Sequence, residues 1–136
     1  MIQVIAGKKG SGKTKRLIDL TNATAREAVH DVIFLDDDNR YMYDVDHKVR
    51  FINAEDYCVH STDMFVGFVC GILSSNYDVG TIFIDAFLKL CRKDLAETEP
   101  VVNLLATLGA KQNVDFVLSV SADPEELPEF LKQYLI

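Results

Sequence analysis

The stretch Gly7-Lys8-Lys9-Gly10-Ser11-Gly12-Lys13-Thr14 follows directly on the apolar run Ile2-Gln3-Val4-Ile5-Ala6. It fits G-x-x-x-x-G-K-[ST], the P-loop or Walker A pattern. The run before it reads as a buried strand, and the residues from Thr14 read as a helix. That context is what the pattern requires, because its task is to hold a dense anion. Glycines let the backbone curl with positive φ and approach the anion closely. The freed N–H groups form a concave nest. The helix that starts there adds unpaired N–H groups and the positive end of its dipole. Gly7, Gly10, Ser11, Gly12, Lys13, Thr14 and Lys15 are therefore the expected nucleotide-binding residues. Lys13 is expected at the β- and γ-phosphates, and the Thr14 hydroxyl on Mg²⁺.

Apolar runs and helical patterns alternate over the rest of the chain. The first helix is expected from Thr14 to about Val29, with Leu17, Leu20, Thr24 and Ala28 on one face. Val32 to Leu35, Val49 to Ile52, Thr81 to Ile84 and Val114 to Val120 read as strands. Met64, Phe65, Phe68, Val69, Ile72 and Leu73 recur at helical spacing as one wide stripe. A helix is expected from Phe87 to about Ala96, and another after Pro100 carries Val101, Leu104, Leu105 and Leu108. Asp123-Pro124-Glu125-Glu126 reads as the start of a last helix running to the C-terminus, its entry distorted by Pro128. This alternation predicts an α/β domain over 1–136, with a mainly parallel sheet of about five strands between helical layers. The length of 136 residues suits one such core. Ligands of such sheets sit beyond the carboxyl ends of the strands, where the P-loop, Asp36, Glu55, Asp56, Asp85, Ser119 and Ser121 all fall.

Asp85 ends an apolar strand, the Walker B pattern, and is expected to hold Mg²⁺ together with Thr14. Many P-loop ATPases place a Glu next, to polarise the attacking water; here that position is Ala86. A general base must then come from another strand end. Asp36 is the first choice, with Glu55 and Asp56 behind it. Asp36-Asp37-Asp38 also reads as a solvated acidic turn, since three adjacent acids cannot all enter one site. Ser119 or Ser121 is a candidate γ-phosphate sensor. Arg40 and Lys48 are surface cations within reach of phosphate, and His30, His47 and His60 carry no expected role.

The net charge of −7 argues against nucleic acid or anionic membrane as partner. Lys8, Lys9, Lys13, Lys15 and Arg16 make a positive mouth on this acidic body. No basic leader precedes the first strand, and no apolar run reaches membrane-spanning length. Cys58, Cys70 and Cys91 form no C-x-x-C pair, so zinc is not expected; Cys70 and Cys91 are read as buried thiols. A cytoplasmic protein binding ATP and Mg²⁺ is expected. No adenine-specific motif and no N-K-x-D run for guanine stands out, so base preference is not readable, and ATP is expected simply as the commoner partner.

The two motifs, Gly7 to Thr14 and Thr81 to Asp85, give the chain a resemblance to the P-loop NTPase superfamily. That resemblance implies the three-layer αβα fold. A fainter one is to the thymidine kinase family that carries a zinc-bearing lasso. It rests on Ser11-Gly12-Lys13-Thr14-Lys15-Arg16-Leu17-Ile18, Asp38-Asn39-Arg40-Tyr41 and Ile84-Asp85-Ala86. Ala86 stands where that family has Glu, and no cysteine quartet follows. Three functions are weighed: a slow or partner-stimulated ATPase, a small-molecule or nucleoside kinase with Asp36 as base, and a non-catalytic subunit whose nucleotide state shapes a protein or homo-oligomer interface.

Overall fold

A computed structural model describes residues 1–136, and the apolar runs become five strands. In chain order the elements are β1 (Ile2–Gly7), α1 (Lys13–Glu27), β2 (Asp31–Asp36), β3 (Val49–Asn53), α2 (Thr62–Ser75), β4 (Val79–Ile84), α3 (Phe87–Cys91), α4 (Glu99–Gln112), β5 (Asp115–Ser121) and α5 (Glu129–Lys132). The strands form one parallel sheet in the order β1-β5-β4-β2-β3.

The side-chain period of two sorts each strand between two cores. Ile5, Phe34, Phe83 and Val117 face α1, whose Leu17, Ile18 and Ala25 cover them. Val4, Leu35, Ile84 and Leu118 face the other way, into a larger core under α2, α3 and α4. Right-handed crossovers explain the division. The chain leaves β1 towards β2 over one face, then returns from β3 through β4 to β5 over the other. The sheet is thus covered on both sides, which is why its strands are mainly apolar rather than strictly alternating.

Several helical faces differ from expectation. On α1 the buried residues are Leu17, Ile18, Thr21 and Ala25, a stripe turned from the one expected. Thr21 is tolerated there because its hydroxyl donates to the Leu17 carbonyl at 2.7 Å. On α2 the stripe is narrower: Phe65, Val69 and Leu73 are buried, whereas Met64 is 52% exposed. On α4, Val102 and Gly109 join Val101 and Leu105 inside, and Leu104 and Leu108 are only half-buried. Of the thiols, Cys91 is buried and its pKa is pushed up by that burial, Cys70 is half-buried and Cys58 is exposed.

Two helices end earlier than expected. α3 stops at Cys91, where Arg92 takes a left-handed conformation (φ 57°) and returns its N–H to the carbonyls of Leu88 and Lys89. The helix expected to follow Asp123 is not continuous. Asp123 does cap, accepting the Glu125 N–H at 3.0 Å, but Pro124–Glu126 is a single 3-10 turn. Pro128 lacks an N–H and forces Leu127 to be extended, so helix resumes only at Glu129. The last residues then pair with the sheet. The Val4 N–H donates to Tyr134 O at 2.8 Å, and the Ile136 N–H donates to Val4 O at 3.0 Å. No helix is long and apolar enough to cross a membrane.

Gly109 lies where α4 passes the start of β5. A Cβ there would stand 2.7 Å from the Val114 carbonyl oxygen. Alanine in a helix interior normally gains about 1 kcal/mol over glycine. Overpacking against rigid backbone costs about 1–3 kcal/mol and wins. Gly109→Ala is therefore expected to lower the thermal midpoint by several degrees in a calorimetric scan; a raised midpoint would show that α4 can shift away from β5.

Candidate functional site

All strands run the same way, so their carboxyl ends share one rim. At the end of β1 the chain takes two left-handed turns, Gly10 at φ 85° and Gly12 at φ 87°, before entering α1. A side chain at either would be strained. Gly7 is constrained differently, because a Cβ there would meet the Ser11 hydroxyl and make it turn away. The Ser11 N–H closes the loop on Lys8 O at 3.0 Å. Gly12 caps α1 without a side-chain hydrogen bond, and the Arg16 N–H is the first to reach back, to Gly12 O at 3.1 Å. The N–H groups before it have no helical carbonyl to bind. Lys13 takes part in no ion pair. The Lys15 ammonium turns away to Asp19 at 2.9 Å, so Lys15 offers the loop only its backbone.

Thr14 and Asp85 meet although 71 residues separate them: the Thr14 Oγ1 lies 3.2 and 3.3 Å from the two Asp85 carboxylate oxygens. Ser119, fully buried on β5, donates its hydroxyl to Asp85 Oδ1 and accepts the Ala86 N–H at 3.0 Å. Its expected role as a phosphate sensor does not match this geometry, since the hydroxyl is engaged inside the sheet. Ser121 is exposed at the end of β5. Ala86 is left-handed at φ 51° and caps α3. Hydroxyl and carboxylate oxygens at one point are the hard donors that Mg²⁺ takes, so Thr14 and Asp85 fit that ion.

Asp36 is not part of a solvated turn. It is 2% exposed, and its Oδ2 is the one buried side-chain polar atom without a hydrogen-bond partner. Oδ1 accepts the Asp37 N–H at 2.7 Å. Burial pushes the Asp36 pKa from 3.8 up to about 8; the adjoining Asp37 carboxyl and the charge of Asp85 add to the rise. Asp37 and Asp38 are half-buried and reach Lys89 at 3.9 Å and Arg40 at 3.6 Å, yet each keeps a carboxylate oxygen within 4.8 Å of one on Asp36. The alternatives for a base lie elsewhere. Glu55 is exposed and held by His60 at 3.0 Å, and Asp56 is exposed beside Asn53.

Two hollows flank the loop. One of about 460 Å³ lies between Gly7, Ser11, Lys13, Arg16 and Asp123, with Lys8 reaching Asp123 at 3.6 Å. Another of about 380 Å³ lies between Gly12, Lys13, Thr14, Tyr41 and Asp44. Reading the sequence missed Asp123 and Tyr41 as wall residues. Asp123 was accounted for as a helix cap, and Tyr41 sits in a stretch, Asp37–Lys48, with no regular period. Compared with known proteins, the chain matches no family model and no curated protein.

The buried Asp36 gives the fold a pH dependence of definite sign. Its proton is bound more tightly in the folded state than in the unfolded one. Stability from this group is therefore fully present below about pH 4 and is lost as pH rises to about 8. Asp36→Asn mimics the neutral form, so it is expected to be near neutral at pH 4 and stabilising at pH 8, on the order of a few kcal/mol. Denaturant melts at the two pH values in metal-free buffer check this, and equal effects at both would show that Asp36 is ionised throughout.

Proposed function

We propose that this protein binds Mg-ATP at the loop Gly7–Thr14 and works as a slow or partner-stimulated ATPase of the P-loop NTPase kind. The observation that carries the reading is the joint geometry of that loop: two left-handed glycines, a helix start with free N–H groups, an unpaired Lys13, and Thr14 set against Asp85. Lys13 and the backbone nest answer the phosphate charge. Thr14 and Asp85 are the Mg²⁺ ligands of this reading, and the ion, when bound, neutralises charge on the phosphate oxygens. With Ala86 in place of a Glu, no carboxylate stands next to Asp85 to orient water, so low intrinsic turnover belongs to the proposal. A cytoplasmic setting goes with it, where ATP is plentiful and three free thiols stay reduced.

A second reading, a kinase for a small hydroxylated acceptor, is favoured by Asp36. A buried carboxyl at the rim with a pKa of about 8 titrates near the pH at which a general base is most effective. The two readings differ in one measurement, whether ATP consumption rises on adding acceptor and loses that rise in Asp36→Asn.

Nucleotide binding itself is tested by calorimetric titration of Mg-ATP. Removing one charge-assisted hydrogen bond costs about 1.5–3 kcal/mol. Lys13→Ala is expected to weaken binding by roughly ten- to a hundredfold. Equal affinity in wild type and Lys13→Ala would overturn the proposal.

A further inference from the structure

A third hollow, of about 410 Å³, opens one residue past Asp36 and contains no P-loop residue. The topology makes room for it. After β2 the chain crosses the α1 face, where Tyr41 and Val45 pack, whereas after β4 it enters α3 on the opposite face. Neighbouring strands whose connections part in this way leave a crevice beyond their carboxyl ends.

The lining has two characters. Ala54, Val59, Leu88 and Leu90 supply apolar walls. Lys89, Arg92 and Lys93 stand there beside four carboxylates, Asp37, Glu55, Asp94 and Glu97, so cations and anions are mixed along one edge. Lys89 is shared with Asp37 at 3.9 Å, and Glu55 with His60 at 3.0 Å. Arg92, Lys93, Asp94 and Glu97 line the same hollow and have no ion-pair partner. The backbone is also unusual here. Of the four non-glycine residues with positive φ, Cys58, Ala86 and Arg92 cap the segments that form these walls. Such conformations cost energy and gather at functional sites.

We propose that this hollow is a second small-molecule site, for a hydroxylated organic anion. Arg92 and Lys93 have only donors and take the anionic group. Asp94 and Glu97, when ionised, only accept, and take hydrogen bonds from the ligand's hydroxyls. The volume is that of a small metabolite rather than of a polymer. A phosphate and a carboxylate are the two forms the anion takes. That the ligand receives a phosphoryl group from ATP rests on the nucleotide reading above; the site itself does not.

The test is an NMR titration of ¹⁵N-labelled Lys13→Ala protein, whose P-loop is disabled, with glycerol 3-phosphate, glycerate and inorganic phosphate. Amides of residues 54–59 and 88–97 are expected to shift and saturate. One of the two hydroxylated anions should bind more tightly than inorganic phosphate, and which one names the anionic group. Arg92→Glu with Lys93→Glu is expected to weaken that binding by at least about tenfold. Lys93→Glu alone, expected to weaken it measurably, serves if the double variant does not fold. Shifts that never saturate, or that survive charge reversal unchanged, overturn the site. Mg-ATP titrated into wild type is a separate arm, and its failure bears on the P-loop alone.

Discussion

The hydrogen-bonded chain Thr14–Asp85–Ser119–Ala86 is the constraint on which the rim depends. It joins the first turn of α1 to the ends of two strands that do not neighbour it in sequence. A buried carboxylate without partners is costly, so the two hydroxyls on Asp85 are what let it end an apolar strand inside the fold. Through Asp85 the loop's position is tied to the sheet. Ser119 serves twice, since accepting the Ala86 N–H also holds the left-handed turn that starts α3.

Beside this satisfied carboxylate stands one that is not satisfied. Asp36 and Asp85 lie at the ends of adjacent strands, and the Asp85 N–H itself donates to Leu35 O at 2.9 Å. Two acids so placed do not both ionise cheaply. Burial first, then the Asp37 carboxyl and the charge of the neighbouring Asp85, favour the protonated form of Asp36. A cation arriving between them would reverse the balance, because the field that favours the proton would then favour the ion.

Much of this was legible in the sequence. The loop is fixed by spacing, and five apolar runs separated by helical patterns gave a parallel sheet with ligand-facing ends on one rim. The helical faces were read less well. α1 is turned because Thr21 hides its hydroxyl against Leu17, which composition alone counts as polar. Gly109 is buried because α4 crosses β5 closely, a property of packing and not of period. The state of Asp36 lay beyond local reading altogether. Three adjacent acids look alike in sequence, and only tertiary burial separates the first from its neighbours. Ser119 reads in sequence as a candidate γ-phosphate sensor, yet its partners are Asp85 and Ala86, just past β4, which no local pattern reveals.

The pairing of Val4 with the chain's last residues has a consequence for the two ends of the sheet. β1, which leads into the loop Gly7–Thr14, would otherwise be an edge strand offering unpaired backbone groups to any passing strand. Tyr134 and Ile136 occupy those of Val4, and Arg16 reaches the Ile136 carbonyl at 3.4 Å. The other border, β3, has no such cover and relies on shortness and the exposed charge of Arg50. The sheet is therefore polarised. The border beside the loop Gly7–Thr14 is partly covered by the chain's own last residues, and the far border is guarded by length and charge alone.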